Sequence, residues 1–127
     1  MTTTIEKVKV TPKVGDILYS SWGYDQTNID FYKVVKVSEF SVWIQELSKK
    51  IVEITGWAHE RVVPTDSSTY ETRNYENNEI ETRTYAISRH KIQYPTWQTE
   101  KEYYVKLNSF SSASPWDGKP KDASHTH

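Results

Sequence analysis

The run from Asp30 to Leu47 constrains this chain most. Asp30-Phe-Tyr-Lys-Val-Val-Lys-Val37 and Val42-Trp-Ile-Gln-Glu-Leu47 are rich in β-branched and aromatic residues, and only Ser38-Glu-Phe-Ser41 separates them. Two strand-patterned runs joined by so short a turn predict an antiparallel hairpin. Alternation would place Phe31, Val35 and Val37 on one face, with Tyr32, Val34 and Lys36 on the other. The return run is apolar on both faces near its start. Short strands covered on both faces suit a small barrel better than a flat sheet.

The flanking sequence extends this pattern. Lys13-Val-Gly-Asp-Ile-Leu-Tyr-Ser20 reads as a turn entering a strand, an opening frequent in small SH3-like barrels. Ile51-Val-Glu-Ile54 predicts a fourth strand, and Arg61-Val-Val63, stopped by Pro64, predicts a short edge strand. Residues 65–102 change texture to charge, Thr and Tyr with few aliphatics. Glu71-Thr-Arg73 and Glu81-Thr-Arg83 repeat around Asn77-Asn78, which predicts a long exposed hairpin with cross-strand Thr contacts and ion pairs. Ile87–Tyr94 and Lys101–Leu107 read as further strands. The tail carries Trp116-Asp117-Gly118, a turn with an anchoring indole, and is expected to fold back onto the barrel.

The fold expectation is therefore mostly β, within a single domain spanning 1–127. It is a small SH3-like antiparallel barrel or rolled sheet built from 13–64 and 103–127, with 65–102 as a long inserted β-ribbon. Composition agrees. Hydrophobic residues are only 35 %, but nine Tyr and five Trp fill a core with few positions.

The same totals exclude several classes. A net charge of −1 supplies no general basic field, so duplex DNA is an unexpected partner. The absence of cysteine removes disulfides and thiolate zinc sites. No apolar run is long enough to span a bilayer, and the first residues lack the apolar centre of a signal peptide, so the expected setting is cytoplasmic. A homo-oligomer is compatible with the sequence.

One stretch exceeds what a turn requires. Tyr19-Ser-Ser-Trp22-Gly-Tyr24-Asp25-Gln26-Thr-Asn28 holds three aromatics, a glycine and several short polar side chains. Flat apolar faces beside hydrogen-bonding groups grip flat, polar ligands. Trp22 and Tyr24 are expected to stack on a ligand, while Asp25, Gln26 and Asn28 bond its edges. The competing reading makes Trp22 and Tyr24 core plugs, with Asp25 and Asn28 as turn caps.

Catalytic signatures are missing: no phosphate-binding glycine loop, nucleophile elbow or zinc-binding helix motif occurs. Asp25, His59 and Asp117 are acid–base candidates if loop and tail meet, though ordinary turn and surface roles weigh more. His59, His90, His125 and His127 meet no metal-ligand spacing, so neither metal nor cofactor is expected. A basic–aromatic set, Tyr75, Arg83, Tyr85 and Arg89, offers a partner-binding surface on the ribbon, diluted by Glu71, Glu76, Glu79 and Glu81.

With these residues in view, the chain resembles a family of small proteins of bacteriophages, plasmids and other bacterial mobile elements. The family pairs a Ser-Ser-Trp-Gly-Tyr-Asp-Gln-Thr-Asn segment, here 20–28, and a following Phe-Tyr, here 31–32, with a C-terminal Trp-Asp-Gly-Lys-Pro, here 116–120, and a late His, here His125. The likeness covers 14–47 and 103–127 and leaves 65–102 unmatched. It implies no established activity. Motifs at both ends imply that the segments meet, so that Trp116, Asp117 and Lys119 close the site.

The resulting expectation is a non-enzymatic binding protein of the bacterial host's cytoplasm. It would recognise a nucleotide-like molecule, with a possible anti-defence role. One alternative is a protein–protein inhibitor of a host factor acting through 65–102. The other is a small nuclease-like enzyme using Asp25, Asp117 and His125.

Overall fold

A computed structural model describes residues 11–23, 26–94, 103–108 and 111–124. In chain order the strands are β1 (Ile17–Trp22), β2 (Asn28–Val37), β3 (Ser41–Leu47), β4 (Lys49–Gly56), β5 (His59–Pro64), β6 (Thr69–Asn74), β7 (Glu79–Thr84), β8 (Ile87–Lys91), β9 (Val105–Lys106), β10 (Ser112–Pro115) and β11 (Lys121–Ser124). No helix occurs among the described residues.

Six strands form one antiparallel sheet in the order β8-β3-β2-β1-β10-β9. An isolated bridge between Gln93 and Tyr104 ties the run after β8 to the run before β9 through two 2.9 Å backbone hydrogen bonds. The sheet therefore nearly closes into a barrel, as the strand pattern predicts. Its interior is Leu18, Val34, Val42, Ile44, Tyr103, Val105 and Ala113. At one end the Tyr103 hydroxyl donates to Asp16 at 2.8 Å.

A smaller sheet, β11-β5-β4, packs on the outside of β1 and β2. Phe31, Ile29, Leu47, Val62 and Ala123 are buried between the layers, with Ile17, Tyr19 and Trp116 packed against them. This second core accounts for the outward apolar residues Ile29 and Phe31 of β2 and Leu47 of β3, whereas Trp43 near the start of β3 lies outside it. The tail does fold back: β10 pairs with β1, and β11 pairs with β5.

Three sequence expectations need correction. The alternation along β2 breaks, because the register passes from Val34↔Ile44 to Lys36↔Trp43 and leaves Val35 as an extra residue. A bulge of this kind switches the faces beyond it. Val37 therefore joins Tyr32 and Val34 on the interior side, while Phe31 faces the second sheet. The segment 13–64 does not all belong to the barrel, since β4 and β5 leave it for the second sheet. Nor is 65–102 one insert: only β6 and β7 make a separate ribbon, and β8 is a barrel strand along β3. In the ribbon, Glu71 faces Thr82 and Thr72 faces Glu81 across the strands. The ion pair described there, Arg83 to Glu81 at 3.3 Å, runs along β7 rather than across.

Candidate functional site

Period-two alternation decides which side chains of β1 and β2 meet at the barrel mouth. Leu18, Ser20 and Trp22 point inward from β1. Ser20 lies opposite Asp30, Leu18 opposite Tyr32, and Tyr32 in turn opposite Glu46 of β3. The hairpin between β9 and β10 supplies the far wall. A cavity of about 660 Å³ opens here, lined by Trp22, Gly23, Asp30, Tyr32, Leu107, Asn108 and Ser111. That volume suits a small organic ligand, and barrel mouths are a common place for one.

Polar contacts hold the wall in place. The Trp22 indole N–H donates to Asp30 Oδ2 at 2.7 Å. Lys49 reaches from β4 to Asp30 Oδ1 at 3.2 Å and also donates to the Ile29 carbonyl. Tyr85 hydrogen-bonds Glu46 and stacks on Tyr70 with ring centres 4.7 Å apart. Burial, reinforced by the Asp30 charge, raises the Glu46 carboxyl above its ordinary range, although Tyr85 and Lys49 oppose this. Tyr32 is pushed up mainly by burial, then by Asp30 and Glu46. Tyr85 is raised by burial and by Glu46.

Ser20 adds an unusual feature. It is 1 % exposed, and its hydroxyl has no hydrogen-bond partner among the described residues. Such a buried group ordinarily finds one. It faces the interior opposite Asp30 of the cavity wall.

The structure divides the residues named from sequence. Trp22 lines the cavity and is 48 % exposed. Tyr24 and Asp25 lie outside the described residues. Gln26 donates to Asn28 Oδ1 at 3.1 Å, so these two brace the loop. Gly23 is required there: its φ is +130°, and a Cβ would strike the Gln26 carbonyl.

Trp116, Asp117 and Lys119 do not close this site. Trp116 sits on the other side of the sheet, edge-on to Phe31 with centroids 5.7 Å apart. Its indole donates to the Lys119 carbonyl at 2.8 Å. Asp117 accepts from the Lys119 amide and from Lys121, which together hold its carboxyl below the usual range, the amide contributing most. These residues form a self-contained turn. The reason is parity: Trp22 projects inward from β1, whereas Tyr19, opposite Phe31, projects outward. The ends of the two motifs do touch elsewhere, where the Thr27 amide donates to Ser124 Oγ at 2.9 Å.

The set Tyr75, Arg83, Tyr85 and Arg89 does not form one surface. Tyr75 is 90 % exposed at the ribbon tip, and Arg83 lies along β7. Tyr85 is turned toward Glu46, and Arg89 stands on β8 over Trp43. Of the enzyme set, Asp117 is tied into its turn, and Asp25 and His125 lie outside the described residues. No group of three or more His, Asp or Glu among the described residues is placed to hold a metal. No helix there is long and apolar enough to cross a membrane.

Asp30, Tyr32, Glu46, Leu107, Asn108 and Ser111 are absent from the site read from sequence. The available signal was an acid at an inward position of an otherwise apolar strand, at both Asp30 and Glu46. Comparison with family models, curated proteins and solved structures found no match to this chain.

Proposed function

We propose that the chain is a non-enzymatic binding protein that holds a small, flat ligand at the mouth of its barrel. The observation that carries this reading is the cavity of about 660 Å³ between Trp22, Tyr32 and Leu107, with Asp30 in its wall. Aromatic and aliphatic faces bury a ring, and a carboxylate plus Asn108 and Ser111 orient its polar edge. A nucleobase has that form, which supports a nucleotide-like ligand entering base first. Lys49, the cation that reaches Asp30 in the cavity wall, is engaged by it, and no cation lines the cavity among the described residues, so the site favours the base end over the phosphate end. The mobile-element resemblance adds a setting, in which such a protein sequesters a host signalling or defence molecule.

Trp22 is half-exposed, so its removal spares the core. Trp22→Ala should weaken nucleoside binding at least tenfold in calorimetric titration, with the melting temperature within a few degrees of the parent. Asp30→Asn should weaken it as well. Wild-type protein that binds none of the common nucleosides, or binds them equally after Trp22→Ala, would overturn the reading.

A second reading rests on a different observation. The β6–β7 ribbon pairs with no other strand among the described residues, and it exposes Tyr75 and Ile80. Exposed tyrosines favour protein interfaces, so the ribbon is the place where an inhibitor of a host protein would dock.

A further inference from the structure

The outward face of β2, β3 and β8 beyond the second sheet carries a cluster that neither reading uses. The register places Lys36 beside Trp43 and Trp43 beside Arg89, while Ser41 pairs with Lys91 one step on. Lys33, before the bulge, shares this outer face, as its pairing with Gln45 shows. All four cations are exposed. Lys36 Nζ lies 4.5 Å from the centre of the Trp43 ring, and the Arg89 guanidinium carbon lies 5.9 Å from it. Arg89 Nε also donates to Ser41 Oγ at 3.3 Å, which fixes the guanidinium. Phe40, 68 % exposed, stands at the edge of the cluster and lines a depression of about 510 Å³ with Ser41, Arg89 and Lys91.

Along the strands of this face the charge is one-sided, with Glu39 in the turn beside Phe40 as the flanking acid. No Asp or Glu occurs within 33–36, 41–45 or 87–91, although the whole chain is net negative. The glutamates that dilute Arg83 in the linear sequence sit on the ribbon instead. A field of four cations beside the exposed Phe40 ring is complementary to a phosphodiester chain with unpaired bases. The cations follow the backbone, and Phe40 offers its face to a base. In a duplex the bases are already stacked, and four cations neutralise few of its phosphates.

We propose that this face binds single-stranded nucleic acid. The site is independent of the barrel mouth, which opens on the opposite side of the same strands.

The test is fluorescence anisotropy of a labelled 15-residue oligothymidylate with the full chain, titrated at several salt concentrations. Four phosphate contacts predict that log K falls with log salt at a slope of about −2.8. Lys36→Gln and Arg89→Gln should each weaken binding several-fold and reduce the slope by about 0.7. Phe40→Ala should weaken binding about fivefold or more with the slope unchanged. Lys50→Gln, on the second sheet, should change nothing. Should loss of the Trp43 contacts unfold the first two variants, Lys33→Gln and Lys91→Gln carry the same expectation. The proposal is overturned if no binding occurs at 50 mM salt, or if the cation variants leave the slope intact. Equal or tighter binding to a duplex of the same length overturns it too. So does displacement by polyglutamate as effective as by unlabelled oligonucleotide, which would make the face a docking site for acidic proteins.

Discussion

Glu46 occupies a core-facing position on β3 where the neighbouring inward residues of its own strand are Ile44 and Val42. Burial and the nearby Asp30 raise its carboxyl, so the folded chain keeps a proton that the unfolded chain releases in the ordinary carboxylate range. The sign follows from proton counting. Within that window the folded state binds more protons, so stability falls as pH rises from about 4.5 toward the raised value, and it is unaffected below. Glu46→Gln keeps the shape and removes the titration. Urea midpoints of the variant should therefore hold steady across this window while those of the parent decline. Parallel curves would show that Glu46 is solvated like a surface acid. Asp30, nearby, accepts hydrogen bonds from the Trp22 indole and from Lys49.

The ribbon shows how an element can be present without supporting its neighbours. Among the described strands β6 and β7 pair only with each other, and most of their side chains are exposed. The attachment lies below them, where the Ser48 amide donates to the Ser67 carbonyl at 2.8 Å and Tyr70 stacks on Tyr85. Replacing residues 71–82 with a two-residue Asn-Gly turn should keep those anchors. Closing a shorter loop also costs little entropy. The melting temperature should stay within a few degrees of the parent, and nucleoside binding at the mouth should be unchanged. A collapse in stability would mean that the ribbon packs on the barrel. β2 is the opposite case, a ten-residue strand that serves both cores by means of one bulge.

At the scale of the molecule, the two cores depend on segments far apart in sequence. β11 places Ala123 against Phe31 and Val62, and Ser124 exchanges two hydrogen bonds with Thr27. Truncation after Pro120 removes both and opens the layer between the sheets. We expect a loss of roughly 3 kcal/mol or more, a large share of the stability of a domain this size. Denaturant unfolding of residues 1–120 beside the full chain measures it; an unchanged midpoint would show that the second sheet is held by β5 alone. The loss should reach the cavity as well, since Thr27 leads directly into β2 and Asp30.

Much of the architecture was legible because it is local. Strand formers, a four-residue turn and period-two alternation mark out β2 and β3, and an indole in the tail marks a segment that packs. The bulge at Val35 was not legible, since one extra residue leaves composition unchanged while exchanging two faces. The site was legible in half: Trp22 stands out in any reading, but its neighbours Asp30, Leu107 and Asn108 are scattered between positions 30 and 108. Residue pattern alone determined that the chain forms a β-barrel with a folded-back tail. Pairing partners decided everything that depends on which side of a strand a residue faces. They sent Trp116 away from Trp22, gathered Lys36 and Arg89 about Trp43, and separated both from the ribbon's glutamates. The physical reason is that a side chain's direction follows from register, and register is set between strands rather than within them.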